Sequence, residues 1–136
     1  MVTAEITFSV EFYDVDSMHI VWHGNYIKYF EKARCALLDQ IGYGYPEMKE
    51  SGYAFPVVAL SVKYLKALTF RDQVRAKAVL IEYENGLRIK YELRNEKTGE
   101  IHTKALSDQM AVDLSTGKAC FVCPEILIKK IENLKK

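Results

Sequence analysis

The sequence of 136 residues lacks any strong excess of charge, because 19 lysine and arginine residues nearly balance 18 acidic residues and leave a formal net charge of +1. It also lacks a run of basic residues before the terminal Lys135 and Lys136. Nucleic-acid binding depends largely on clustered Lys and Arg that neutralise phosphates. We therefore expect no nucleic-acid partner.

Long apolar segments are missing as well. The N-terminus alternates polar and apolar residues and has neither the basic start nor the apolar centre of a signal peptide. No window approaches the roughly 20 apolar residues that cross a bilayer. The sequence therefore predicts a protein without a membrane span or a secretion signal.

Cysteine is scarce, with three residues in the chain: Cys35, Cys120 and Cys123. An odd number does not suit a secreted disulfide framework, and the single C-x-x-C pair lacks the two further ligands that a zinc site needs. The three histidines show no metal spacing either. We expect free thiols, a reducing cytoplasm and no metal.

What is present is the composition of a globular protein, with 49% hydrophobic and 27% charged residues. The chain is long enough for one core and too short for two ordinary domains. No internal repeat, low-complexity segment or linker interrupts it. We expect residues 1–136 to form one domain.

The first third of the chain changes from a strand pattern to a helix pattern. Residues 6–12 alternate apolar and polar side chains, which predicts a half-buried strand ending just before Asp14. From Asn25 the apolar residues form a wide stripe at helical spacing: Tyr26, Ile27, Phe30, Ala33, Leu37, Leu38 and Ile41. Gly42 is typical of the residue that ends a helix, and residues 43–52 predict a loop with at most one helical turn.

The remainder predicts an antiparallel sheet. Strands are expected over about residues 55–64, 73–83, 87–94 and 100–112, with a short strand before Pro124 and a hairpin turn at Asn85-Gly86. Pro124 suits the first position of a final helix, whose apolar side consists of Ile126, Leu127, Ile131 and Leu134. One strand, one long helix and an antiparallel meander make an α+β pattern. The wide helix stripe should therefore be buried against the concave face of a curled sheet.

The segment between the first strand and the long helix carries the clearest chemical signal. Asp14 and Asp16 precede a His23-Gly24-Asn25 turn that opens the helix. A carboxylate can act as a base or a nucleophile, and unpaired N–H groups at a helix start can stabilise negative charge on a carbonyl oxygen. Together these features are typical of an acyl-transfer site.

These residues resemble a known family, the hotdog-fold thioesterases of the 4-hydroxybenzoyl-CoA thioesterase group and their acyl-CoA thioesterase relatives. The resemblance covers nearly the whole chain, and its most specific part is Asp16, Val21, His23, Asn25-Tyr26, Tyr29-Phe30-Glu31 and Ala33-Arg34. Further matching positions are Gly42-Tyr43, Pro56-Val57-Val58, Val62, Tyr64, Asp72, Asp113, Thr116-Gly117 and Pro124. The resemblance implies the hotdog fold, one long central helix wrapped by a curled antiparallel sheet of about five to six strands. It also implies a homodimer or homotetramer with active sites between subunits.

The resemblance further implies hydrolysis of an acyl thioester carried by coenzyme A or acyl carrier protein, without a cofactor or metal. Asp16 falls on the family's catalytic carboxylate, and the backbone N–H of His23 falls on its oxyanion donor. The implied substrate-binding residues are Val21, Trp22, Gly24, Asn25, Glu31, Val58, Ala59 and Leu60. The candidates for binding the CoA phosphates are Lys63, Arg88 and Lys90.

Other interpretations stay open for single residues. Asp14 is interpreted as a residue that caps or orders the turn. Glu31 can line the acyl pocket or pair with Arg34 or Lys28 on the helix surface. His19 stands where the family usually has Gly, and His is one of the better substitutes if the backbone has a positive φ there.

The reaction route and the function also have alternatives. Asp16 can attack the thioester carbonyl to form an anhydride or can activate a water. A non-catalytic acyl-thioester-binding hotdog domain is the main alternative function. A hotdog dehydratase fits less well, because it would need a catalytic His in a different motif.

Overall fold

The computed structural model describes residues 2–135, and these form eight strands and three α-helices. The strands are β1 (Thr3–Ser9), β2 (Tyr53–Ala54), β3 (Val57–Tyr64), β4 (Gln73–Glu82), β5 (Leu87–Asn95), β6 (Ile101–Gln109), β7 (Ala111–Asp113) and β8 (Ala119–Cys120). The helices are α1 (Tyr26–Ile41), α2 (Tyr45–Ser51) and α3 (Glu125–Leu134). An antiparallel sheet has the strand order β1-β4-β5-β6-β3, and a small sheet has the order β2-β7-β8.

Helix α1 packs against the five-stranded sheet and forms the centre of the core. Its buried side chains are Tyr26, Tyr29, Phe30, Ala33, Arg34, Leu37, Leu38 and Ile41. The neighbouring strands β4 and β5 bury every second residue, as expected for strands with one face on a core. Gly42 ends the helix at φ 83°, and its N–H donates to the carbonyls of Leu38 and Asp39. The predicted α+β architecture, with one long helix against a curled antiparallel sheet, is confirmed.

Helix α2 is a correction to the loop predicted over residues 43–52. Seven residues are helical, Pro46 lies in the first turn, and Gly52 ends the helix at φ 91°. Pro and Gly are loop residues by composition, but Pro in a first turn and Gly after a last turn are also the usual helix boundaries. Met48 is buried and fixes this helix on the core.

Strand β1 ends earlier than the alternating pattern predicted. The strand stops at Ser9, and a 3₁₀ turn occupies Phe12–Asp14, where Phe12 is 75% exposed. The Glu11 N–H donates to Asp14 Oδ2 at 2.9 Å, so a side chain takes the backbone donor that a continuing strand would use.

The long strand predicted over residues 100–112 is also divided. It breaks at Met110, whose N–H donates to the carbonyl of Pro56, and the chain then continues as β7 in the small sheet. Pro56, which has no N–H to donate, likewise separates β2 from β3. Among residues 2–135, no helix is both long and apolar enough to span a membrane.

Candidate active site

A tight turn holds Asp16 at the surface next to the start of α1. The Asp16 N–H donates to the carbonyl of Ile20 at 2.8 Å, and the His19 N–H donates to the carbonyl of Asp16 at 2.9 Å. Asp16 Oδ1 accepts the Met18 N–H at 2.8 Å. His19 adopts φ 66°, so the left-handed conformation considered from the sequence is present at that position.

The backbone carbonyl of Asp14 holds the start of α1 in place through two hydrogen bonds. The Asp14 carbonyl accepts the Trp22 N–H at 3.1 Å and the side-chain amide of Asn25 at 2.8 Å. A 3₁₀ turn over His23–Asn25 then leads into the helix. Within residues 2–135, the N–H groups of His23 and Gly24 donate to no protein acceptor. Two donors at a helix start are therefore left for a ligand.

Trp22 covers this helix start. The side chain is 52% exposed, and its ring centroid lies 5.0 Å from that of His23. A Cβ on Gly24 would lie 2.3 Å from the indole ring, so only glycine allows the ring to lie in this position. The glycine of the His-Gly-Asn turn thus serves the placement of Trp22.

Asp16 and the helix start line one cavity of about 320 Å³. Its walls are formed by Asp16, Ile20, Val21, His23, Tyr26, Tyr64, Leu65, Lys66 and Ala67. Asp16 is half-buried at this wall. In the part of the chain that the structure describes, its second carboxylate oxygen, Oδ2, has no hydrogen-bond partner. The cavity thus brings together the Asp16 carboxylate and His23, whose backbone N–H is unpaired, and Gly24 follows His23 in the chain.

Three tyrosines surround this arrangement. Tyr64 on β3 donates its hydroxyl to the carbonyl of His23 at 2.9 Å, and its ring packs edge-on against Tyr26 with centroids 4.9 Å apart. Burial raises the pKa of Tyr26, and burial followed by the neighbouring Asp14 carboxylate raises the pKa of Tyr29. Both buried phenols therefore stay protonated at neutral pH and do not compete with Asp16 as bases.

A separate crevice lies between α1 and β3, further along both elements than this cavity. It has a volume of about 190 Å³ and is lined by Ile27, Phe30, Glu31, Arg34, Val57, Leu60, Tyr91 and Ser107. Glu31 forms an ion pair with Arg34, so both interpretations of Glu31 describe its position: it lines the crevice and pairs on the helix. Ile27 is 46% exposed, because this side of the α1 stripe faces the crevice rather than the core.

The three predicted contacts on β3 do not lie on one face. Leu60 lines the crevice, whereas Ala59 lies opposite Asp108 on the outer face of the sheet, and Val58 lines a separate small cavity with Arg88. The register shifts between Val57 and Ala59, and this bulge determines which residues face α1. The structure therefore brings only Leu60 of the three beside Glu31.

The residues proposed for CoA phosphates are all on the sheet. Arg88 donates to both carboxylate oxygens of Asp108, at 2.7 and 3.3 Å, so its charge is already paired. Lys63 and Lys90 form no ion pair with another described residue. Lys66, which was not predicted, lines the Asp16 cavity and donates to Glu100 at 2.5 Å.

Tyr26, Tyr64 and Lys66 were missed as site residues. The sequence around Tyr64 shows only the alternating pattern of β3, which does not indicate a site residue. Its contact is with His23, 41 positions away in the sequence. Across residues 2–135, no group of three His, Cys, Asp or Glu side chains could hold a metal ion, and a mechanism without metal stays a prediction.

Comparison with known proteins gives a consistent picture. The family model described as the thioesterase-like superfamily matches residues 10–129. YneP of Bacillus subtilis (strain 168), named as a candidate acyl-CoA thioesterase, is 31% identical over 110 residues, which are 80% of this chain and 79% of that protein. A DHNA-CoA thioesterase structure from Staphylococcus aureus has a TM-score of 0.84 at 27% identity and covers 99% of this chain and 94% of its own. The structure of SAV2348 from the same organism, in complex with CoA, has a TM-score of 0.86 at 18% identity, covers 98% of this chain and 85% of its own, and shows likeness of fold alone.

Proposed function

Because this chain belongs to the thioesterase-like superfamily, we propose that it hydrolyses acyl-CoA thioesters in the cavity shared by Asp16 and the start of α1. The observation that carries the proposal is that Asp16, whose Oδ2 is free, lines the same cavity as His23, whose backbone N–H is unpaired among the described residues. Thioester hydrolysis needs a base or nucleophile and a donor for the developing oxyanion. The resemblance to hotdog thioesterases assigns these roles to Asp16 and His23.

The role of Asp16 follows from the way its carboxylate is held. The Met18 N–H fixes Oδ1, which orients the group and leaves Oδ2 to attack the thioester carbon or to take a proton from water. In either route the C–S bond breaks, one water is consumed, and the products are a free acid and a thiol. A thiolate is a far better leaving group than an amine, so the site needs no strong general acid.

The role of His23 belongs to its backbone. In the proposed complex, its N–H donates to the thioester carbonyl oxygen, and the positive end of the α1 dipole adds to the stabilisation. A well-placed donor of this kind is worth about 3 kcal/mol in the transition state. The imidazole packs against Trp22 and needs no part in the chemistry.

The proposed acyl site is the crevice along α1, with Leu60 and Glu31 in its walls. Val21, Trp22 and Gly24 would shape the thioester end of the site, and Asn25 would position it through its hydrogen bond to Asp14. Val58 and Ala59 face away from the crevice, so any contact of theirs with substrate would have to be outside it.

Coenzyme A is the carrier that the comparisons favour over acyl carrier protein. The name of YneP refers to acyl-CoA, and the Staphylococcus aureus thioesterase that is 27% identical is named for DHNA-CoA. Lys63 and Lys90 are better candidates for the phosphates than Arg88, whose guanidinium is occupied by Asp108. Lys66 at the rim of the Asp16 cavity is a further candidate.

A homodimer formed through β3 is part of the proposal. β3 is an edge strand of the five-stranded sheet, and it exposes Val57, Val58 and Leu60. A long edge strand with exposed apolar residues is usually covered in the native assembly. A second copy on this edge would close the crevice between α1 and β3, and two such dimers could pair into a tetramer.

The proposal treats residues 1–136 as one thioesterase domain acting in the cytoplasm. The three free thiols support a reducing compartment. No cofactor enters any step.

The decisive experiment is release of free thiol from a panel of acyl-CoAs by the wild-type protein and by Asp16→Asn and Asp16→Ala. We expect turnover to fall about 100-fold or more in both variants, with an unchanged circular dichroism spectrum. Asp39→Asn is the matched control, because it removes an exposed carboxylate at the other end of α1. Asp16 variants with wild-type rates would remove Asp16 from the mechanism.

The same protein offers a test against the non-catalytic alternative. Trp22 is the only tryptophan and lies at the proposed site, so its fluorescence reports ligand binding there. A fluorescence change that persists with intact acyl-CoA in the wild-type protein would indicate a binding domain. A change that decays as thiol appears would indicate an enzyme.

A further inference from the structure

A further cavity takes no part in the chemistry proposed above. It is an apolar groove of about 520 Å³ between α2 and the small sheet. The residues that matter below are Tyr45 and Met48 on α2, and Phe55, Val112 and Leu114 opposite them. We call this cavity the α2 groove.

The α2 groove lies at the end of the crevice that is further from the Asp16 cavity. Tyr26 and Tyr64 line the Asp16 cavity, and Ile27 and Leu60, further along the same two elements, line the crevice. The crevice then reaches Arg34 and Val57, and Pro56, the neighbour of Val57, lines the α2 groove. The Asp16 cavity and the crevice therefore follow one another along α1 and β3, and the α2 groove lies next to the Val57 end of the crevice.

A polar cluster separates the crevice from the α2 groove. Arg34 has a side chain only 6% exposed, forms an ion pair with Glu31, and donates from Nε and Nη2 to the hydroxyl of Tyr45 at 3.2 and 3.1 Å. Tyr45 lines the α2 groove with its ring while its hydroxyl is held at the end of the crevice. This single side chain therefore stands between the two spaces.

We propose that Tyr45, held by Arg34, limits the length of the acyl chain, and that the α2 groove receives the end of a longer chain once the Tyr45 ring is removed. The inference rests on the proposed function, since it assumes that the acyl chain follows α1 from the thioester end. Glu31 lies eight residues after His23, which corresponds to about 12 Å along the helix axis. An extended chain advances about 1.25 Å per C–C bond, so roughly ten bonds reach the cluster.

The chemistry of the two spaces favours an acyl chain as the occupant. The α2 groove is almost wholly apolar, and it lies next to a crevice whose other end is nearer to the cavity of the proposed catalytic carboxylate. An apolar chain that reaches the Tyr45 ring stops there, because Tyr45 is hydrogen-bonded to the buried Arg34 guanidinium, and displacing it would leave that charge without one of its acceptors. Tyr45 is 42% exposed, so its removal opens the path and leaves the Glu31–Arg34 pair in place.

The test is a chain-length profile of kcat/KM, from acetyl-CoA to stearoyl-CoA, for the wild-type protein, Tyr45→Phe and Tyr45→Ala. We expect the wild-type profile to fall for chains longer than about ten carbons. Tyr45→Ala should raise kcat/KM for palmitoyl-CoA by about tenfold or more, whereas Tyr45→Phe, which keeps the ring, should raise it much less. Turnover of butyryl-CoA shows in each case that the variant is folded.

The double variant Tyr45→Ala/Leu114→Trp tests the α2 groove itself. A bulky ring at Leu114 should fill the groove and abolish the gain on palmitoyl-CoA. A gain that persists in the double variant would overturn the assignment of the groove to the acyl chain.

Other outcomes overturn the inference or the proposed function separately. An identical profile in the wild-type protein and Tyr45→Ala, with butyryl-CoA hydrolysed by both, would overturn the inference alone. A wild-type protein that hydrolyses none of the acyl-CoAs would overturn the proposed function. A lower sedimentation coefficient for Leu114→Trp would assign the groove to a second copy of the chain and overturn its assignment to acyl.

Discussion

The two halves of the segment between β1 and α1 differ in whether their polar groups have hydrogen-bond partners. In residues 10–15, Asp14 is 5% exposed, its Oδ2 accepts the Glu11 N–H, and its carbonyl accepts two donors. In residues 16–25, Asp16 Oδ2 and the N–H groups of His23 and Gly24 have no partner among the described residues. Asp16 and His23 line one cavity, so their unpaired carboxylate oxygen and backbone N–H are available to a ligand there.

Under the proposed function, the first half of the segment stabilises the fold and the second half carries the chemistry. Asp14 and Asp16 are two residues apart and have the same functional group, yet only Asp16 lines a cavity. Variants in the second half should therefore change turnover with little effect on folding. Variants in the first half should do the reverse.

After the Asp16 variants, the largest effect expected in this segment is from His23→Pro, which deletes the proposed oxyanion donor. Trp22 has φ −60° and ψ 133°, an extended conformation that a following proline accepts, and proline is tolerated in the first turn of a helix. We expect kcat to fall by about 100-fold, the effect of losing one oxyanion donor. The measurement is thiol release, with helix content checked by circular dichroism.

His23→Ala is the matched control for this prediction. It removes the imidazole and keeps the N–H, so its kcat should stay within about tenfold of wild type. Equal losses in the Pro and Ala variants would shift the role from the backbone to the imidazole. The oxyanion donor in residues 16–25 would then be the His23 imidazole rather than its backbone N–H.

A smaller effect, on folding, is expected from Asp14→Ala. The variant removes a buried carboxylate, 5% exposed, and leaves the Glu11 N–H without its charged acceptor, so the free energy of unfolding should fall by about 2 kcal/mol. Urea unfolding measures this. Asp72→Ala is the control, because Asp72 accepts from Thr69 in an exposed turn and its loss should be smaller, about 1 kcal/mol. A stable Asp14→Ala protein with a large loss of turnover would reverse the assignment.

Local patterns in the sequence account for the parts of the fold that were predicted. The α1 stripe is periodic and is followed directly by Gly42, and Asn85-Gly86 lies in the loop of the β4–β5 hairpin. The predicted end of β1 was wrong because the alternation of apolar residues continues to Phe12. In the structure, a hydrogen bond from the Glu11 N–H to the Asp14 side chain turns the chain before that point. A carboxylate that bonds the backbone three residues earlier leaves no clear mark in an alternating pattern.

In the candidate site, too, the residues predicted from the sequence are those with a local pattern. Asp16 and His23 are close in sequence, and the resemblance to a family identified them; their roles stay predictions. The bulge between Val57 and Ala59 changes which side chains face α1, and period-two alternation contains no information about such a shift. Tyr45, which contacts Arg34 across 11 positions, lay in a segment predicted as loop.

The smallest expected effect is from Tyr64→Phe, at the point where β3 contacts the chemical half of the segment. The variant removes one hydrogen bond to the His23 carbonyl and keeps the ring contact with Tyr26. Because Tyr64 is 48% exposed, water can replace its hydroxyl, and the net loss should be about 0.5 to 1 kcal/mol. That corresponds to a fall in kcat of about two- to fivefold, because the helix start that holds the proposed oxyanion donor becomes less well fixed. Tyr83→Phe removes an exposed hydroxyl that accepts from Lys135 instead, and it should leave kcat unchanged. If both variants have wild-type kcat, the Asp14 carbonyl alone sets the position of the helix start. In that case β3 lines the cavity but does not help to hold the His23 N–H in place.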